Sequence, residues 1–142
     1  MVGLLPAGIH PATMDEIRRV FGSSNDVRAN LCDGLAEFIE LARSFGLFEA
    51  IVIDGSFVTD VATPDDIDAV LILPGSRLRT LMQRSDYERL DNAIVRERFR
   101  IDLFIDPDHD GMSTFFQGLK VEDALQRGVS PRQRRGVLEV RL

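Results

Sequence analysis

With 142 residues, 44% of them apolar and 28% charged, the chain has the size and composition of one compact globular domain and is too short for a second full one. A net charge of −6, from 17 basic and 23 acidic residues, argues against binding nucleic acid over the whole surface. No run approaches the roughly 20 apolar residues that span a bilayer, and the opening segment has no basic stretch followed by a long apolar one. The single cysteine, Cys32, excludes an internal disulfide and suits a reducing compartment, so a cytoplasmic protein with no membrane partner is expected.

In chain order, Thr13 followed three residues later by Glu16 forms a capping box, which predicts a short helix ending near Phe21 and Gly22. Asn25 or Asp26 caps the next. Val27, Leu31, Leu35, Phe38, Ile39, Ala42 and Phe45 recur at helical spacing and Gly46 stands where a C-terminal cap belongs, giving a helical segment over about residues 11–46. Cys32 falls within this helix as a small apolar side chain. Phe48 to Ile53 reads as a buried strand stopped by Asp54-Gly55, and a polar connection leads to a second strand, Ile67 to Leu73, closed by Pro74-Gly75. Ser76 opens a helical stretch that restarts at a second capping box, Ser85 with Glu88, and carries Tyr87, Leu90, Ile94 and Val95. A third strand is expected over Phe99 to Ile105, then a DPDHDG loop, a helix from Met112 to Leu119 and a last strand over Val137 to Val140. Helices alternating with a few strands predict an α+β or α/β fold: a small mixed sheet with helices packed on it, as one domain over residues 1–142.

Charge is unevenly spread along this framework. From Ser44 to Ser76 there is no Lys or Arg, yet the stretch holds Glu49, Asp54, Asp60, Asp65, Asp66 and Asp68. Clustered carboxylates repel one another unless solvated, protonated or neutralised by a cation. Strand side chains alternate between faces, so Asp66 and Asp68, two apart at the start of the second strand, project to the same side with Cα atoms about 6 to 7 Å apart. Such a pair can share one Mg²⁺ or Mn²⁺, leaving coordination positions for water and triphosphate oxygens. Ahead of them the chain turns at Gly55-Ser56 directly after a strand, where backbone N–H groups can approach an anion and a hydroxyl can bond to it. Taken singly, Asp-Gly is a common hairpin turn and Asp-x-Asp a common surface pattern. In this order, each at a strand end, they predict a metal and triphosphate site.

The stretch IDGSFVTDVATPDDIDAVLIL resembles the nucleotidyltransferase signature of the DNA polymerase beta superfamily: an apolar strand, Gly-Ser, a loop, then Asp-apolar-Asp-apolar opening the next strand. The chain also resembles a group of small bacterial members of that superfamily with an LPxGIHPAT-like beginning, GSFVTD and PxDID, a likeness that covers most of its length. The resemblance implies a minimal nucleotidyltransferase fold in which the Gly-Ser turn holds the triphosphate, paired carboxylates bind metal, and a carboxylate on a later strand completes the site. Those roles fall on Gly55 and Ser56, on Asp66 and Asp68, and on Asp102, which RIDLFID sets in an apolar strand where an uncompensated charge would be costly to bury. A solvent-facing Asp on a half-exposed strand is the alternative, and Asp106 is the rival for the role. Two departures bear on substrate: Phe57-Val58-Thr59 stands where many members have a small residue and an Arg, and no large additional domain recognises an acceptor.

The implied activity is transfer of a nucleotidyl group from a nucleoside triphosphate to a hydroxyl of an acceptor, either a protein, an RNA or a small molecule, with Mg²⁺ or Mn²⁺ as cofactor. The competing expectation is a catalytically silent partner protein of the same fold, as in a toxin–antitoxin or phage-defence pair. A phosphodiesterase or nuclease would use the same carboxylates but has less need of the Gly-Ser turn. Other motifs carry less. DPDHDG imitates an EF-hand start, but Gln117 stands at the twelfth position and Pro107 inside the loop. His10 and His109 lack partners for a zinc site, and no Gly-x-Gly-x-x-Gly or Gly-Lys-Ser/Thr loop is present. Arg132, Arg134 and Arg135 give the C-terminal part a basic character that suits phosphate or RNA as well as plain solvation.

Overall fold

A computed structural model describes residues 8–107 and 136–142. The elements follow in the order β1 (Gly8–Pro11), α1 (Met14–Phe21), α2 (Asp26–Phe45), β2 (Ala50–Asp54), β3 (Ile67–Leu73), α3 (Leu78–Met82), α4 (Asn92–Phe99), β4 (Ile101–Pro107) and β5 (Gly136–Arg141), with 3₁₀ turns at Ser56–Val58, Gly75–Arg77 and Tyr87–Leu90. The strands form one mixed sheet in the order β1-β5-β2-β3-β4. β2 runs antiparallel to both β3 and β5, whereas β3 with β4 and β1 with β5 are parallel. The fold is therefore small α+β, as composition and patterning predict. The helix predicted at Met112 to Leu119 and most of the DPDHDG loop lie outside the described residues.

Local chemistry explains the two N-terminal helices. Thr13 Oγ1 accepts from the Glu16 amide while Glu16 accepts from the Thr13 amide, completing the predicted capping box. Asn25 caps α2 by accepting from the Arg28 amide, and Gly46 closes that helix in the left-handed region at φ 66°. The buried stripe of α2 packs with Ile17 and Phe21 of α1 against the sheet face bearing Ile51, Ile53, Ile67, Ala69, Leu71, Ile101, Leu103, Leu138 and Val140. Cys32 sits in this core, and burial pushes its thiol pKa up. Phe38 and Ile51 are each 0% exposed. Truncating either to Ala is expected to cost about 2–5 kcal/mol, read as a lower midpoint in urea unfolding at constant slope.

Three expectations need correction. The Ser85 and Glu88 box does not start an α-helix: only the 3₁₀ turn Tyr87–Leu90 follows it, without a side-chain cap, and the α4 cap is Asp91, whose Oδ1 accepts from the Ala93 and Ile94 amides at 3.0 and 3.4 Å. Arg84 instead forks onto Asp86 at 2.9 and 3.0 Å and donates to the Phe45 carbonyl, holding the intervening chain in turns. Phe99 ends α4 instead of opening a strand, and Arg100, left-handed at φ 59°, reverses the chain into β4, which runs on through Asp106 and Pro107. β1 escapes the sequence pattern because four residues including a proline show no alternation. Its pairing partner, β5, lies 125 or more residues away, with Gly8 opposite Gly136 and Pro11 opposite Glu139. Among the described residues no helix is long and apolar enough to cross a membrane.

Candidate active site

Sheet register assembles the carboxylates. Asp54, the last residue of β2, pairs with Asp68 on β3, and Asp68 pairs with Asp102 on β4. Three aspartates thus stand abreast on adjacent strands, about 4.8 Å from one to the next along the row. The next row on the same face is Val52, Val70 and Phe104, and the one beyond is Ala50, Ile72 and Asp106. Even-numbered positions from Asp66 to Ile72 face away from the α1–α2 layer because Ile67, Ala69, Leu71 and Leu73 of the alternating strand are committed to it. Asp66, just ahead of β3, shares that parity.

Of the predicted residues, the structure brings Asp66 and Asp102 to a common partner. One guanidinium nitrogen of Arg96, on α4, lies 3.6 Å from Asp66 Oδ2 and 3.4 Å from Asp102 Oδ2. Asn92, one turn earlier, donates to Asp102 Oδ1 at 3.0 Å and accepts from the Leu103 amide at 2.8 Å, fixing the start of β4 to the start of α4. Convergence of bare, mutually repelling carboxylates therefore needs correction: Asp66 faces the Arg96 cation, and Asp102 has that cation and an amide as partners. Asp106, the rival third carboxylate, is buried and lies four residues along the strand, about 13 Å from Asp102, outside the acidic row.

Gly55 and Ser56 adjoin this row. Gly55 adopts φ 85° and ψ −169°, a conformation essentially reserved for glycine, and a Cβ placed there would lie 2.5 Å from Asp68 Oδ2. The turn backbone is thus packed directly against the Asp68 carboxylate. Ser56 is exposed, while Gly55, Phe57, Val58 and Thr59 around it are buried. The Thr59 hydroxyl and amide both donate to the Ser56 carbonyl, at 2.6 and 3.1 Å, and close the turn.

Sequence reasoning missed three members. Asp54 reads in the sequence as part of a turn, and only its pairing with Asp68 reveals it as a site neighbour. Arg96 and Asn92 look like solvated helix residues, and their one signal is the spacing of four that puts both on one face of α4. Among the described residues no set of three or more His, Cys, Asp and Glu side chains is gathered closely enough to hold a metal ion. The donors present are nonetheless the right kind, since the half-exposed carboxylates of Asp66, Asp68 and Asp102 are hard oxygen ligands suited to Mg²⁺ or Mn²⁺.

Arg96 occupies the place of a cation between two of those carboxylates. Its replacement by Met is expected to raise divalent-ion affinity severalfold, because an exposed ion pair is worth about 0.2–1 kcal/mol and each such contact opposes metal. Titration with Mn²⁺, followed by its paramagnetic effect on water relaxation, measures this. Unchanged or weaker affinity in the variant would remove Arg96 as a competitor.

A family model matches residues 1–141, nearly the whole length. The chain belongs to the family of unknown function DUF6932. No curated protein and no solved structure matches it.

Proposed function

We propose that this DUF6932 member is a metal-dependent nucleotidyltransferase that moves a nucleoside monophosphate group from a triphosphate to an acceptor hydroxyl. One observation carries the proposal: the acidic row Asp54, Asp68 and Asp102 ends at a glycine turn whose backbone packs on the Asp68 carboxylate and whose next residue, Ser56, is exposed. An anion-binding turn against a cation-binding row is the arrangement that a metal–triphosphate complex requires. In this reading Asp66 and Asp68 would hold the metal and Gly55 and Ser56 would hold triphosphate oxygens. Mg²⁺ or Mn²⁺, when bound, would supply charge neutralisation and polarise the phosphoryl group. Asp102, in exchange for its Arg96 contact, would help to hold the metal and would accept the proton of the attacking hydroxyl. The bond from acceptor oxygen to α-phosphorus forms as the bond to pyrophosphate breaks. The acceptor is a protein, an RNA or a small molecule, and the reaction belongs in the cytoplasm.

The Arg96 bridge favours a second reading, a catalytically silent partner protein in which the guanidinium stands permanently where a metal would. Incubating the protein with α-labelled triphosphates, Mg²⁺ or Mn²⁺, and cellular protein and RNA separates the two. Transferase activity predicts metal-dependent pyrophosphate release and a labelled acceptor. Absence of both, from a protein that binds a partner tightly, supports the silent module.

A further inference from the structure

Arg28, on the first turn of α2, is a charged residue at a core position. It lies on the stripe shared with Leu31, Cys32 and Leu35 and is only 3% exposed. An arginine has five N–H donors, and here each is spent on a backbone carbonyl. Nε donates to Val61 at 3.1 Å, Nη1 to Phe21 at 2.9 Å and Phe57 at 2.8 Å, and Nη2 to Thr59 at 2.8 Å and again to Val61. Three of the four acceptors, on Phe57, Thr59 and Val61, are alternate residues of the connection that begins at the Gly55-Ser56 turn. Asn25 extends the grip, since its Nδ2 donates to the Ala62 carbonyl at 2.7 Å while its Oδ1 caps α2.

We infer that Arg28 is a positioning residue for the nucleotide turn, clamping residues 57–62 to the start of α2 so that Ser56 and Asp66, at the two ends of the connection, stay beside the acidic row. The inference rests on the nucleotidyltransferase reading of that row. Burying a guanidinium against neutral carbonyls is expensive, and burial holds its pKa below the ordinary arginine value. An apolar side chain would fill the core without that cost but would leave the carbonyls unbonded and the connection without its anchor. Because a peptide unit is planar and trans, each carbonyl turned toward Arg28 directs the following amide, on Val58, Asp60 or Ala62, the opposite way. One side chain therefore orients alternate peptide units over the length of the connection.

The test is Arg28→Lys, which keeps charge and stem but offers three donors from a single point. Native-state hydrogen exchange and Mg²⁺–triphosphate titration are compared with wild type, with the α2 amides as an internal control for folding. Exchange at residues 58–62 is expected to speed at least tenfold while α2 beyond its first turn stays protected, and triphosphate affinity is expected to fall at least tenfold. Where the Lys variant is poorly folded, Arg28→Ala with millimolar guanidinium serves instead, and the added ion is expected to restore protection and affinity together. Wild-type exchange at 58–62 in the Lys variant would overturn the clamp. Fast exchange with wild-type affinity would overturn its link to the site. Failure of the wild-type protein itself to bind triphosphate would overturn the functional reading, and with it that link, while the exchange comparison still decides the clamp.

Discussion

Gly55→Ala is expected to abolish metal-dependent triphosphate binding and to lower the melting temperature by several degrees. Two independent constraints act at this position. The backbone at φ 85°, ψ −169° lies where a residue with a Cβ is strained by about 1–3 kcal/mol. The added methyl would also stand 2.5 Å from Asp68 Oδ2, so that either the turn or the carboxylate must move. The first constraint lowers stability, and the second displaces the site. Both are read from one pair of experiments, thermal melting and a triphosphate titration in the presence of Mg²⁺. An alanine variant that melted and titrated like wild type would show that the turn is not held against Asp68.

The second large effect is expected from Asp68→Asn, which preserves shape and removes charge. Loss of a partner of a metal ligand costs 10–100-fold in affinity or activity, so loss of a ligand charge should cost about a hundredfold or more in metal-dependent binding and transfer. Asp68 stands between Asp54 and Asp102 in register, so the charge removed is the central one of the acidic row. Asp102→Asn is expected to act on stability too. It weakens the Arg96 contacts and disturbs the Asn92 hydrogen bond, so the metal-free protein should lose about 1 kcal/mol as well as its ligand response. Melting both variants with and without Mg²⁺ and triphosphate measures all four quantities. If Asp68→Asn destabilised the free protein yet left the ligand response intact, Asp68 would be a structural carboxylate.

What could be read from the sequence was what local chemistry writes locally. Thr13, Asn25 and Gly46 announce helix ends because a cap is a bond between residues three or four apart, and the run from Ile67 to Leu73 announces β3 because its apolar character is continuous. Asp66 and Asp68 are legible as candidates because a spacing of two beside Gly55-Ser56 puts both on one face, and Asp102 because it stands in an apolar strand where an uncompensated charge is costly to bury. Register was not legible. That Asp54 joins the row depends on the pairing of β2 with β3, and that Asp106 falls outside it depends on the pairing of β3 with β4. Arg28 had a readable signal, its place three and four residues before Leu31 and Cys32 on an otherwise apolar stripe, but a charged residue there looks like the edge of a solvated face until its acceptors on Phe57, Thr59 and Val61 are seen. The Ser85 box failed for the complementary reason: a sequence that can form a local bond was outcompeted by Asp91 as the cap and by the Arg84–Asp86 pair.

The most direct test of the account is calorimetric titration of the wild-type protein with a non-hydrolysable triphosphate, with and without Mg²⁺, and with Asp68→Asn as the control. Saturable heat that requires the metal and vanishes in the variant is the expected result, together with a rise in stability of about 2.7 kcal/mol at a hundredfold excess over the dissociation constant. A well-folded wild-type protein that gave no metal-dependent heat, or an Asp68→Asn protein that bound as tightly as wild type, would contradict it.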